Sequence, residues 1–407
     1  MSRFFKTVAG RAAFAGAAAL VAAGLLAVPA ANAEPIKIGE LNSYNKFAAF
    51  SVPYRNGWQL ALDEINAAGG VLGEQLEIIS RDDGAATGDA VRVAEELVTR
   101  DKVAFIFGTF LSNVGLAVGD YANQAKVLFI GAEPLTDALT MAKGNRYTYR
   151  VRPGTYMQTG MLVDAVKDKA PMKWAVVAPN YEYGQAAVTA FKELMPAAVA
   201  GSEIVVEQFP ALGKIDAGAT VAAIEQAKPD AIFSALFGGD LAKFVREGNT
   251  RGLFEGRTVL SLLTGEPEYL VPLADEAPEG WIVTGYPWDQ IENERHKAFV
   301  TAYQAKYSDT PRLGSLLGYQ MVYLIKAMLE KAGSTDTEAM LAAMEGLEFD
   351  AIVSKAMVRA IDNQSSIGSW VGTIALDGGK GKMVDWHYAD GADYMFPEAA
   401  VKAVRND

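Results

Sequence analysis

The sequence predicts an α/β fold in two lobes, each a parallel sheet flanked by helices. Three observations lead there. Short apolar runs alternate with helical patterns from residue 36 to residue 131. The alternation restarts at Trp174 after a connector, RVRPGTYMQTG (residues 150–160), marked by Pro153 and Gly154. The 407 residues, 50% of them hydrophobic, can build two cores. Strand–helix alternation implies parallel sheets covered on both faces.

The elements follow in order. Ile36–Leu41 (IKIGEL) reads as a strand. Residues 51–68 place Trp58, Ala61, Leu62 and Ile65 at helical spacing, and Gly69-Gly70 stops the helix. Leu76–Ser80 is a second strand, closed by RDDG. Thr87 reads as the N-cap of a helix with Val91, Ala94 and Val98 inward. VAFIFG (103–108) and VLFIG (127–131) are buried strands around a helix that begins at Ser112. In the second series Trp174–Ala178, Glu203–Phe209, Ala231–Leu236 and Thr258–Leu263 are strands. A helix over Gly184–Leu194, one capped by Asp216 and the segment LAKFVREG lie between them. A further crossing between lobes is expected near WIVTGYPWD, residues 281–289. Two lobes joined by several strands leave a cleft between them.

Composition narrows the function. A formal net charge of −12 argues against a nucleic-acid partner, which wants a basic surface. The absence of cysteine excludes disulfides, a thiolate nucleophile and Cys-based metal sites. With only His296 and His387 present, a His-rich metal site is excluded too. His296 is expected on an exposed helix and His387 on a C-terminal strand, both without a catalytic partner motif. Residues 1–33 read as a secretory leader: Arg3, Lys6 and Arg11 without an acid, an apolar run, then Ala31-Asn32-Ala33. The chain lacks a G-x-S-x-G elbow, a P-loop and a G-x-G-x-x-G after the first strand. Hydrolase, nucleotide-hydrolase and dinucleotide readings therefore have no motif.

WAVVAPNYEYGQAAV, residues 174–188, carries the first ligand signal. Tyr181 and Tyr183 stand at a strand-to-helix turn, where open α/β sheets bind ligands.

From residue 35 onward the chain resembles the leucine/isoleucine/valine-binding family of periplasmic binding proteins of ABC transporters. The resemblance rests on IKIGEL, DEINAAGGVLGEQLEI, GTFLSN, DALT, YEYG, GEPEYL and PEGWIV, in that order. It implies the type I fold: two Rossmann-like lobes with parallel sheets flanked by helices, joined by a multi-strand hinge. The expected division is residues 34–153 with 284–354 in the N-terminal lobe, and 154–283 with 355–407 in the C-terminal lobe. The resemblance also implies a periplasmic receptor without catalytic activity, cofactor or metal. Its partners would be a small ligand and permease subunits, and monomer is the family default.

Carried over by position, the carboxylate-holding loop of the family matches Phe110 and Ser112. A helix N-terminus there offers N–H donors to an anion. The next loop departs from the family, with Glu133, Pro134 and Leu135 where a small residue and a threonine are usual. In the second lobe Tyr183 matches an aromatic contact, and Glu266 falls at or beside the acid that holds a ligand ammonium. Phe50 and Phe237 replace tyrosines of the leucine-binding relatives. Thr155 stands where the family can have an aspartate, and Tyr156 is its neighbour. The expected ligand is a branched-chain or other apolar amino acid. An amide, an aromatic acid or a short carboxylic acid fits the same pocket, and a periplasmic sensor subunit would use the same lobes.

Overall fold

The structure, a computed structural model, describes residues 34–405. The expected leader, residues 1–33, lies outside the described residues. Strand β1 (Ile36–Asn42) leads into α1 (Ala48–Ala67), β2 (Leu76–Asp82), α2 (Thr87–Thr99), β3 (Ile106–Gly108), α3 (Ser112–Ala125), β4 (Phe129–Gly131) and β5 (Thr148–Arg150). The chain then crosses to α4 (Thr155–Asp164), β6 (Lys173–Val177), α5 (Glu182–Ala198), β7 (Glu203–Gln208), α6 (Ala217–Ala227) and β8 (Ala231–Ser234). The same series continues with α7 (Gly238–Arg251), β9 (Thr258–Gly265), α8 (Pro267–Leu273) and β10 (Ile282–Gly285). It crosses back to α9 (Glu294–Tyr307), α10 (Leu313–Ala332), α11 (Thr337–Met344), β11 (Glu348–Asp350), β12 (Lys355–Arg359) and β13 (Gln364–Ser365). It ends with β14 (Ser369–Asp377), β15 (Lys380–Ala389) and α12 (Glu398–Val404).

The first sheet has the order β11-β12-β13-β5-β4-β3-β1-β2 and the second β15-β14-β10-β9-β8-β6-β7. Six successive strands, β13 to β2, pair parallel in the first sheet and five, β10 to β7, in the second. The expected parallel sheets therefore have antiparallel additions at one edge, β12 and β11 in the first and β14 and β15 in the second. Strands β12 and β13 stay with the first sheet, so the expected boundary at residues 354/355 falls too early. Both sheets place their first strand between the second and third. Loops leaving either side of that point diverge and open a crevice at the carboxyl ends.

Helix faces follow the sequence pattern with local corrections. In α1, Tyr54, Trp58, Ala61, Leu62 and Ile65 are buried. The buried stripe of α2 is Ala90, Val93, Ala94 and Leu97, so Val91 and Val98 flank it instead of leading it. Thr87 is the first helical residue and Ala86 the cap position. Asp216 caps α6 as expected, accepting from the Ala219 N–H at 3.0 Å. His296 corrects the expectation of an exposed helix: it is wholly buried, 2.6 Å from the Tyr286 hydroxyl, and burial pushes its pKa down to about 4. A single polar segment hides it because α9 lies against the returning crossover. His387 sits exposed on β15.

The chain passes between the lobes at residues 151–154, 286–293 and 366–368. One buried side chain joins the first and third passages. The Arg150 guanidinium donates to Gln364 Oε1 (2.5 Å), to the carbonyls of Leu135 (3.1 Å) and Thr136 (2.5 Å), and to Thr140 Oγ1 (3.3 Å). Asp137 lies 3.7 Å away as its counter-charge. Replacing Arg150 by Met strands these acceptors and leaves a buried acid unpaired. The expected loss of unfolding free energy is roughly 3–5 kcal/mol, the scale for breaking a buried charged network. Urea denaturation measures it; a loss within experimental error would mean that these acceptors are satisfied without the guanidinium.

Candidate functional site

Strand ends carry the site. After β3 the chain turns through Gly108 (φ 117°) and Thr109 (φ 63°), both in the left-handed region. A Cβ at Gly108 would stand 2.3 Å from the Leu41 carbonyl oxygen, so only glycine allows this turn against β1. The turn brings Phe110 into the crevice and starts α3 at Ser112. The cap position is Leu111, which makes no side-chain cap bond, so the first-turn N–H groups of α3 remain available to an anion.

Ser112, expected at the carboxylate-holding loop, is the first helical residue of α3 and not its cap. Its Oγ accepts from the N–H groups of Leu135 and Thr136, each at 3.2 Å. Both lone pairs are used in tying two loops together, and the hydroxyl proton is what remains for a ligand. Arg150 grips the carbonyls of the same two residues, so their N–H groups face Ser112.

The second lobe answers with aromatic rings. Tyr181 is the cap position of α5 and Tyr183 lies in its first turn, so the helix begins before the expected Gly184. A Cβ at Gly184 would meet the Pro179 carbonyl oxygen at 2.1 Å, which holds the turn close and aims both tyrosines at the cleft. Phe237 and Glu266 occupy the N-cap positions of α7 and α8, without a side-chain cap bond. Phe237 packs on Tyr183 (centroids 5.8 Å), Tyr181 (6.1 Å), Phe110 (6.3 Å) and Phe50 (6.4 Å). Phe50 also meets Tyr269 at 5.7 Å. Rings from both lobes thus touch, and the cleft is closed.

A narrow cavity of about 20 Å³ remains where the lobes meet. Phe50, Phe110, Ser112, Glu133, Leu135, Tyr183, Phe237 and Glu266 all line it. Thr155 and Tyr156 do not. Thr155 donates to Asp137 at 2.5 Å and Tyr156 stacks on Phe396 at 3.8 Å, because the first turn of α4 folds over the Asp137 loop. Sequence reasoning missed Arg152, Leu263, Glu268 and Tyr269 and left Tyr181 open, yet all five line the cavity. The signal for Arg152 was a cation inside a connector between lobes. The signal for Glu268 and Tyr269 was their place in the motif GEPEYL.

Charge is unevenly distributed here. Arg152 contacts Glu266, and among the described residues Glu266 is the one hydrogen-bond partner of its guanidinium, while its carbonyl accepts from Gln364 Nε2 at 3.2 Å. Burial opposes the guanidinium charge, but Glu266 and Glu133 outweigh it and hold the Arg152 pKa above its usual value. Glu268 accepts from the N–H groups of Leu313 (3.2 Å) and Gly314 (3.0 Å), which open α10 on the other lobe. Glu133 receives Asn42 Nδ2 at 3.3 Å, and burial pushes its pKa up to about 8. The Tyr183 hydroxyl is buried without a partner among the described residues. An unpaired hydroxyl in a cavity wall is a vacancy for a ligand's polar atom.

A family model of periplasmic binding proteins matches residues 35–380. The chain belongs to that family, in its type I leucine/isoleucine/valine-binding group. The family is one of receptors, not of enzymes. A Leu/Ile/Val-binding protein homologue of Brucella suis biovar 1 (strain 1330) is 28% identical over 355 residues, covering 82% of this chain and 86% of its own. Two solved structures share the fold of this periplasmic binding protein. The leucine-, isoleucine-, valine-, threonine- and alanine-binding protein of Brucella ovis, in a closed conformation, has a TM-score of 0.80 at 21% identity, covering 90% of this chain and 97% of its own. A solute-binding protein of an ABC transporter from Rhodopseudomonas palustris BisB5, in complex with 3,4-dihydroxybenzoic acid, has a TM-score of 0.79 at 24% identity, covering 88% and 98%. No helix among the described residues is long and apolar enough to cross a membrane.

The buried acids have a pH signature. Glu40, beneath the site, and Glu133 both have pKa values raised by burial from 4.5 to about 8. The folded chain therefore keeps these protons to higher pH than the unfolded chain. Their contribution is full below pH 4.5 and is lost as pH rises through about 8. Stability of the ligand-free protein should fall by on the order of 1 kcal/mol per group per pH unit across that window. Glu133→Gln should flatten part of the decline. Melting curves at a series of pH values check this, and an unchanged slope would show that Glu133 is ionised throughout.

Proposed function

We propose that this protein is a periplasmic receptor that captures a small amino-acid-like ligand between its lobes and delivers it to the permease subunits of an ABC importer. Residues 1–33 are its export leader, and the site comprises the cavity residues named above. One observation carries the choice of ligand. The cavity wall holds three carboxyl groups, Glu133, Glu266 and Glu268, against a single guanidinium, Arg152. An entering ammonium meets acids that can release a proton to become its counter-charge, whereas a ligand that brings only a carboxylate adds a negative charge beside them, where the one guanidinium already contacts Glu266. The ligand's own carboxylate has a place at the first turn of α3 and the Ser112 hydroxyl. Its apolar part lies among the rings of Phe50, Phe110, Tyr183 and Phe237. Leu135 closes that end.

A second reading is a receptor for an aromatic acid. Two observations favour it: Arg152 retains donors beyond its bond to Glu266, and structural neighbours hold 4-hydroxybenzoate and benzoate.

Calorimetry on the mature protein separates the two. L-Leucine and L-phenylalanine should bind, their deaminated acids should bind more weakly by at least about tenfold, and 4-hydroxybenzoate should rank with the latter. Binding of 4-hydroxybenzoate without any amino acid would replace the first reading by the second. Small-angle scattering with and without the bound amino acid should show compaction of the open form, and an unchanged radius at saturation would remove the hinge mechanism.

A further inference from the structure

We infer that Glu133, in the first lobe, is the counter-charge for the ligand's ammonium, and that Arg152 withdraws Glu266 from that role. This rests on the amino-acid reading above and names the residue that decides it.

The two acids differ in what already holds them. Glu266 is in contact with the guanidinium of Arg152, a residue only 6% exposed. An ammonium that took Glu266 would have to displace a buried cation and leave it unpaired, the costly outcome for a buried charge pair. Glu133 is 4% exposed, and its hydrogen bond comes from a neutral amide, Asn42 Nδ2. Around it stand groups from every neighbouring element. Asn42 ends β1, and the Thr109 carbonyl takes the Glu133 N–H at 3.3 Å. Tyr54 of α1 feels both Glu133 and Glu40, and its hydroxyl is buried without a partner among the described residues. Across the cleft, Arg152 acts on Glu133 from the crossover and Glu268 from α8. Glu266 also lies within its field. Arg152 is the one cation in this set, and its hydrogen bond goes elsewhere. A ligand cation is therefore the partner that Glu133 lacks.

The arrangement has a consequence for capture. Ser112 and the α3 N-terminus, which receive a carboxylate, belong to the same lobe as Glu133. Both charged ends of an α-amino acid then dock on the first lobe in the open form. Closure adds Phe237 as an apolar cover and the unpartnered Tyr183 hydroxyl. Because the empty site keeps a proton on Glu133, seating an ammonium there expels that proton.

The test compares Glu133→Gln with Glu266→Gln by titration calorimetry. The probes are L-leucine or L-phenylalanine, whichever the unaltered protein binds more tightly, and the deaminated acid of the same skeleton. Glu133→Gln should weaken the amino acid by roughly 30-fold or more and leave the deaminated acid nearly unchanged. Glu266→Gln frees the Arg152 guanidinium and should tighten the deaminated acid. For the unaltered protein near neutral pH, binding in buffers of different ionisation enthalpy should reveal proton release with the amino acid and none with its deaminated acid. This readout does not depend on a variant folding. Amino-acid binding that survives Glu133→Gln, or that proceeds without proton release, overturns the inference alone. Failure of every amino acid while 4-hydroxybenzoate binds overturns the amino-acid reading and the inference with it.

Discussion

Everything at the cleft depends on how one buried guanidinium is satisfied. Arg150 is the last residue of β5, the strand before the first passage between lobes, and it is almost wholly buried. A cation in that position must have its donors filled or it destabilises the core. It fills them from the loop after β4 and from Gln364 of β13, the strand that leads into the third passage. A Cβ at Gly154 would sit 2.2 Å from its terminal nitrogen, so the first passage must run directly beneath it. Loop, hinge and sheet edge are therefore set by one planar group. Ser112, Glu133 and Leu135 take their places from that loop, and Arg152 follows two residues after Arg150, in the first passage.

The closed cleft divides its labour between shape and charge. Aromatic rings from both lobes exclude water, and this strengthens each electrostatic contact inside. The contacts that cross the cleft are then few and specific. Glu268 receives the opening N–H groups of α10, and Thr136 Oγ1 donates to Glu182 at 2.7 Å. Neither bond needs a ligand. The ligand supplies what these leave over, which is an unbalanced carboxylate, an unpartnered tyrosine hydroxyl and the donors at a helix start.

Much of this was legible in the sequence. Apolar runs such as IKIGEL and VAFIFG gave the parallel strands, because a strand buried on both faces reads as a continuous apolar stretch. Tyr183, Phe237 and Phe110 were readable because each lies where a strand ends and a helix begins. The antiparallel edge strands were not readable, since β12 and β13 are short and β15 alternates in exposure. They carry no helix between them, and their sheet is decided by pairing alone. Thr155 and Tyr156 misled for a related reason. Position in the connector placed them near the cleft, but the hydrogen bonds of Asp137 turn the start of α4 away from it. Arg152 was overlooked because its meaning lies in a partner more than a hundred positions away, with a sequence separation of 114. His296 was misjudged because a charged stretch, ENERHKAF, concealed one buried face.

The bond from Glu268 to α10 also bears on the resting state. It joins the lobes through protein groups alone, with the N–H groups of a helix N-terminus donating to the carboxylate. A contact between the lobes that uses protein groups alone favours closure whatever the cleft holds. The apparent dissociation constant then follows the intrinsic one divided by the competent fraction. If the first lobe receives the ligand while open, an empty closed molecule is withdrawn from capture until it reopens. Each contact that steadies closure thus slows escape and also sets aside part of the receptor pool, so the strength of the Glu268 bond sets a compromise between retention and responsiveness.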